Sequence, residues 1–152
     1  MITILSVGKQ TNTLFEPAIS NYCHRVAKLT RFELKILTHA TFNDKNKVVH
    51  TESLSILDEI KDSDLVILCD ENGQSITTEK LVAIINEGQV SSKNIVFIIG
   101  GAYGVSDSVK QRANLTIAYG ASVFPHQLVR LMTVEQVYRA MTILHGLQYH
   151  NA

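Results

Sequence analysis

Three loops carry the residues whose types and spacing could do chemistry. The run "IVFIIGGAYGVSD" at 95–107 is apolar and largely β-branched, and it ends in Gly100, Gly101 and Gly104. The spacing G-G-x-x-G is one residue short of the dinucleotide fingerprint G-x-G-x-x-G. The run also follows a late strand, and no acidic residue stands about 20 positions on to hold a ribose. No Gly-Lys-Ser/Thr follows, which excludes a Walker-type loop. The second loop is "CDENGQ" at 69–74 and the third is "YGASVFPHQLVR" at 119–130. Glycine in each allows close backbone approach to a flat ligand, and each by itself also reads as a plain turn. Together they offer many backbone donors and acceptors and few charges, a poor cradle for a polyphosphate and a slot suited to an adenosine moiety. The lack of a lysine in them would suit a ligand that carries its own sulfonium charge.

The elements that must position these loops follow from the apolar pattern. Runs at 2–7, 32–37, 65–69 and 95–99 read as strands, the near-continuous ones as strands covered on both faces. Helical spacing separates them at 15–29, 48–60 and 77–86. The alternation predicts an α/β fold, a single domain over 1–152 with a mostly parallel sheet flanked by helices. Loops leaving the carboxyl ends of such strands are where this architecture places ligands. A short helix over 107–113 with Ser106 as N-cap is expected next, after which the chain re-extends over 115–124. Pro125 suits a first helical position and Gly146 a C-terminal cap, framing a last helix of roughly 20 residues. Apolar residues surround most of that helix, which predicts cover by its own sheet on one side and by a second copy on the other, a homodimer. The stretch "HATFNDKNK" at 39–47 reads as a loop.

Composition narrows the classes. The chain has 152 residues, 14 Lys and Arg against 14 Asp and Glu, and 45% apolar residues, which fits a globular domain and weakens a simple nucleic-acid reading. Cys23 and Cys69 lack ligand or redox spacing, so no metal is expected and two buried thiols in a reducing cytoplasm are. The first residues lack the basic region of a signal peptide, and no apolar run approaches about 18 residues. A soluble, cytoplasmic protein with no membrane association is expected.

The ordered set I-G-G-x-x-G, P-H-x-L-x-R, E-Q-x-Y-R-A and a terminal Y-H, with "VGK" at 7–9 and "YCHRV" at 22–26, resembles the bacterial family that methylates N3 of a pseudouridine in large-subunit ribosomal RNA, within the SPOUT class of methyltransferases. The resemblance spans essentially the whole chain. It implies a C-terminal trefoil knot and S-adenosylmethionine as cofactor, with ribosomal RNA within the ribosome as partner. Carried over by position, the cofactor contacts fall on Cys69, Gly101, Gly120, Ala121, Ser122, Val123, Phe124 and Pro125. The chain departs from the family at Cys69, Gly120, Val123 and Asn151, where Leu, Ser, Thr and a basic residue are usual.

Transfer to an imide nitrogen needs its proton removed and the nitrogen aligned with the methyl group. The expected catalytic residues are Arg130, to stabilise charge on the ring, and His150, with Tyr149 to position or stack on the base. Each has a plainer reading. Arg130 could pair with a carboxylate at an interface, and a terminal His150 could be solvated. His126 reads as a helix-start or loop-anchoring residue, and Glu135 with Arg139 as an i, i+4 helix pair. The alternatives in function are a knotted methyltransferase for another rRNA or tRNA position and a non-catalytic ribosome-binding module.

Overall fold

A computed structural model describes residues 1–9 and 14–149. Five strands alternate with five helices: β1 (Ile2–Val7), α1 (Glu16–Ala27), β2 (Phe32–Leu37), α2 (Lys45–Leu57), β3 (Leu65–Ser75), α3 (Thr78–Val90), β4 (Ile95–Ile99), α4 (Asp107–Arg112), β5 (Leu115–Ala118) and α5 (His126–Leu144). All strand pairs are parallel, in the order β2-β1-β4-β3-β5. The expected α/β sheet is therefore present.

Burial explains why the middle strands show no alternation of polar and apolar residues. All five residues of β4 are buried. Ile95, Phe97 and Ile99 join the core that includes Ile19 of α1, Leu81 of α3 and Val137 of α5. Val96 and Ile98 join the opposite core with Ile56 of α2 and Val109 of α4. A strand buried on both faces must be apolar at every position.

Several boundaries differ from the sequence reading for local reasons. The extension expected over 115–124 stops at Ala118, because β5 pairs only with β3 and β3 ends at Ser75, opposite Ala118. α3 runs on through Gly88, which the helix uses for close packing: a Cβ there would lie 2.9 Å from the Ile95 side chain. α2 starts at Lys45 because the Asp44 carboxylate accepts the Asn46 N–H at 2.8 Å. Pro125 is the N-cap of α5 and not its first residue.

The other caps are as read. The Ser106 hydroxyl accepts the Val109 N–H. Gly146 has φ +65°, with the Leu147 N–H donating to Thr142 O at 2.8 Å and the Gly146 N–H to Ile143 O at 3.0 Å. This pair of bonds is a Schellman motif, and it directs the following residues back along the helix. Among the described residues, no helix is long and apolar enough to cross a membrane, and no cluster of ligating side chains could hold a metal ion.

Candidate active site

The carboxyl ends of β3, β4 and β5 are adjacent, and the loops leaving them enclose a cavity of about 540 Å³. Its walls come from 68–72, 99–105, 117–120 and 122–126, with Lys110 and Val129 also lining it. Cys69, Gly101, Gly120, Ser122, Val123, Phe124 and Pro125 all stand on these walls, while Ala121 is exposed in the same loop.

The backbone shapes this cavity more than side chains do. Between Cys69 and Gln74, β3 bulges away from β5, and both of those residues pair with Ile117. The Asp70 carboxylate accepts the Asn72 N–H at 2.9 Å and holds the bulge in a turn. A side chain at Gly73 would lie 2.5–2.8 Å from the backbone of Ile117, so only glycine lets the bulge return to the sheet. The glycine run after β4 closes on itself, with the Gly104 N–H donating to Gly101 O at 3.1 Å. It is therefore both a tight turn and a wall of the cavity.

Polar side chains behind the walls fix them. The Tyr119 hydroxyl donates to Thr133 Oγ1 at 3.1 Å, and Thr133 in turn donates to Val129 O at 2.7 Å. Cys69 Sγ lies 3.9 Å from the same Thr133 oxygen. Both cysteines are free and half-buried rather than fully buried as expected. Burial pushes the Cys69 thiol up to about 12 and that of Cys23 up to about 11. Neither forms a thiolate at neutral pH, so neither is a nucleophile. Burial, reinforced by the Arg130 charge and opposed by Glu52, holds the His126 imidazole below its usual range. It is neutral at pH 7.

Arg130 is 1% exposed and lies one turn of α5 beyond His126. Its Nε and Nη2 donate to Ser6 Oγ at 3.1 and 3.0 Å, so the guanidinium faces β1 and not the cavity. Tyr149 lies elsewhere, where α1 meets α5. Its hydroxyl lies 3.0 Å from Tyr22 Oη and donates to Glu135 Oε1 at 3.2 Å. The ring packs edge-on to Tyr138 at 4.7 Å, with the guanidinium carbons of Arg25 and Arg139 at 5.2 and 4.9 Å from its centre. Burial and these neighbours raise the Tyr149 phenol well above its usual value. His150 lies outside the described residues. Glu135 and Arg139 form the expected pair, 2.6 Å apart.

Next to Tyr149's partners is a second recess of about 490 Å³, lined by Ala18 and Tyr22 of α1, Leu131, Met132 and Glu135 of α5, and Tyr119. Tyr119 thus belongs to both cavities. Sequence reasoning missed Tyr119, Arg25 and Glu52. For Glu52 a signal existed: Val48, Glu52 and Ile56 recur every four residues, which puts a carboxylate on the buried stripe of α2.

The chain belongs to the SPOUT class of methyltransferases, since the model described as "Predicted SPOUT methyltransferase" matches residues 1–150, and the parallel sheet with its cluster of three loops accords with that class. Within the class, it is similar to the ribosomal RNA large subunit methyltransferase H of Caldicellulosiruptor bescii, 36% identical over 156 aligned positions that cover 99% of each chain. It is likewise similar to the ribosomal RNA large subunit methyltransferase H of Streptococcus pneumoniae, 35% identical across 98% of both chains.

Proposed function

We propose that this chain transfers a methyl group from S-adenosylmethionine to N3 of a pseudouridine in 23S ribosomal RNA, acting in the cytoplasm on the assembled ribosome. The observation that carries the reading is the single cavity at the ends of β3, β4 and β5, walled by glycine loops. The walls fit the cofactor. Gly101 and Gly73 leave no room for side chains, and the acidic groups Asp70 and Glu71 stand with one lysine, Lys110, where a polyphosphate site would gather cations. Cys69, Gly101 and the 120–125 loop would hold the cofactor, which supplies an electrophilic methyl group when bound.

The chain's own residues then have distinct tasks. Arg130, bonded to Ser6 inside the core, holds the start of α5 and with it Pro125 and His126. Tyr149 keeps its proton at neutral pH and so acts as a donor and stacking surface for the target base, not as a base itself. His150, next in the chain, is the group assigned to take the imide proton. Arg25 and Arg139, stacked around Tyr149, are the groups assigned to meet RNA phosphate.

Two further features belong to this reading. The recess on α1 and α5 presents Leu131 and Met132 half-buried, a face suited to a second copy, so the working unit is a homodimer. α5 threads behind the cavity loops as a trefoil knot, which accords with its packing against both α1 and α3. With 14 basic and 14 acidic residues, the chain has no excess charge for gripping RNA by its phosphates alone. Its substrate is accordingly a shaped ribonucleoprotein surface. Incubation with labelled S-adenosylmethionine should label undermethylated ribosomes and leave protein-free 23S RNA unlabelled; efficient labelling of the free RNA would overturn the substrate reading.

A further inference from the structure

Glu52 is 3% exposed, in the middle of α2. Its Oε1 accepts the Ala40 N–H at 2.9 Å, and its Oε2 is buried with no hydrogen-bond partner among the described residues. Buried carboxylates are seldom left in this condition. That oxygen lies against Gly101, where a Cβ would overlap it and come within 3.1 Å of Glu52 Cδ. Only glycine backbone therefore separates the carboxylate from the cavity. The next residue, Ser53, is also buried, and its hydroxyl accepts the Ser106 N–H at 2.9 Å, so α2 holds both ends of this wall.

We propose that Glu52 is a specificity-determining residue: its buried carboxylate, aimed at the cavity through Gly101, makes the site prefer a sulfonium cation over the neutral thioether of the same shape. The proposal rests on the reading of the cavity as the S-adenosylmethionine site. A charge in a low-dielectric interior is weakly screened, so it acts on a ligand it does not touch. Methyl transfer breaks the sulfonium C–S bond and leaves its electron pair on sulfur, so the product S-adenosylhomocysteine has lost the charge that Glu52 favours. The same carboxylate thereby holds the reactant and lets the product go. Other charges differ in placement. Glu71 is exposed and Asp70 is partly exposed, where water and salt screen them. Arg130 opposes Glu52, with its guanidinium turned to Ser6, and His126 on the shared wall is neutral.

The test is the ratio of affinities for S-adenosylmethionine and S-adenosylhomocysteine, measured by calorimetry on the whole chain. Glu52→Gln keeps an oxygen for the Ala40 N–H and removes the charge. The ratio should fall by roughly tenfold, the size expected when a weakly screened unit charge near a cationic ligand is removed. The loss should fall on S-adenosylmethionine, while S-adenosylhomocysteine binds nearly as before. Glu52→Asp should retain the preference. Equal weakening of both ligands, or an unchanged ratio, would reduce Glu52 to a structural brace and overturn the proposal. The wild-type chain gives a second measurement that needs no variant. Its preference should survive from about 0.05 to 1 M salt, whereas collapse at high salt would assign it to Asp70 and Glu71 and overturn the proposal equally. Failure of the wild-type chain to bind either ligand would refute the cofactor reading itself, and this inference with it.

Discussion

Gly101→Val should abolish useful binding of S-adenosylmethionine, weakening it by about a hundredfold, the upper range of what overpacking costs. The reason lies behind the residue. The first added carbon would overlap the Glu52 carboxylate, which is itself held by the Ala40 N–H and enclosed by α2. With α2 anchored by Val48, Ser53 and Ile56 in the core, the strain should be relieved by shifting the 100–104 turn toward the cavity. The core of the sheet is untouched, because Gly101 follows β4 and contributes nothing to either hydrophobic cluster. The variant should keep its oligomeric state in sedimentation and its cooperative melting, and lose only the calorimetric binding signal. Unaltered affinity would remove this loop from the site.

Deleting residues 148–152 should have a larger effect on catalysis and almost none on cofactor affinity. Methyl transfer should fall by about a thousandfold or more, since even misplacement by about 1 Å can cost a hundredfold. Tyr149 is held by Tyr22 and Glu135, on the α1–α5 side, and no wall of the cavity at the ends of β3, β4 and β5 includes it. In the homodimer proposed above, Tyr149 on the α1–α5 side would serve the partner's cavity and not its own. Mixing the tail-deleted chain with a chain carrying Arg130→Ala and Gly101→Val should then restore activity that neither homodimer has. A fully active tail-deleted homodimer would refute the roles given to Tyr149 and His150.

The layered sheet was legible in the sequence because burial on two faces writes itself as continuous apolar runs, as in "IVFII". The same holds for caps, where Ser106 and Gly146 do one thing each by local geometry. Elements whose limits depend on a distant partner were less legible. β5 ends where β3 ends, and no residue between Tyr119 and Phe124 announces that. The helix expected over 77–86 runs on through Gly88, which serves as a packing contact because its neighbour Ile95 comes from the following strand. The loops forming the cavity were found by their glycines, but the side chains bracing them were not. Glu52 sits 49 positions before Gly101 in the chain, and only the fold brings them together. Arg130 illustrates the converse. The motif P-H-x-L-x-R singles it out, and only the fold shows that its guanidinium donates to Ser6 inside the core.

The most direct measurement is the chemical position of the transferred methyl group. Ribosomes lacking the mark, incubated with the purified chain and S-adenosylmethionine, should yield on digestion of their 23S RNA one new nucleoside, a pseudouridine methylated at N3, identified by mass and chromatographic comparison with the synthetic compound. Methyl transfer to a ribose hydroxyl, to another base or to no nucleoside at all would contradict the account.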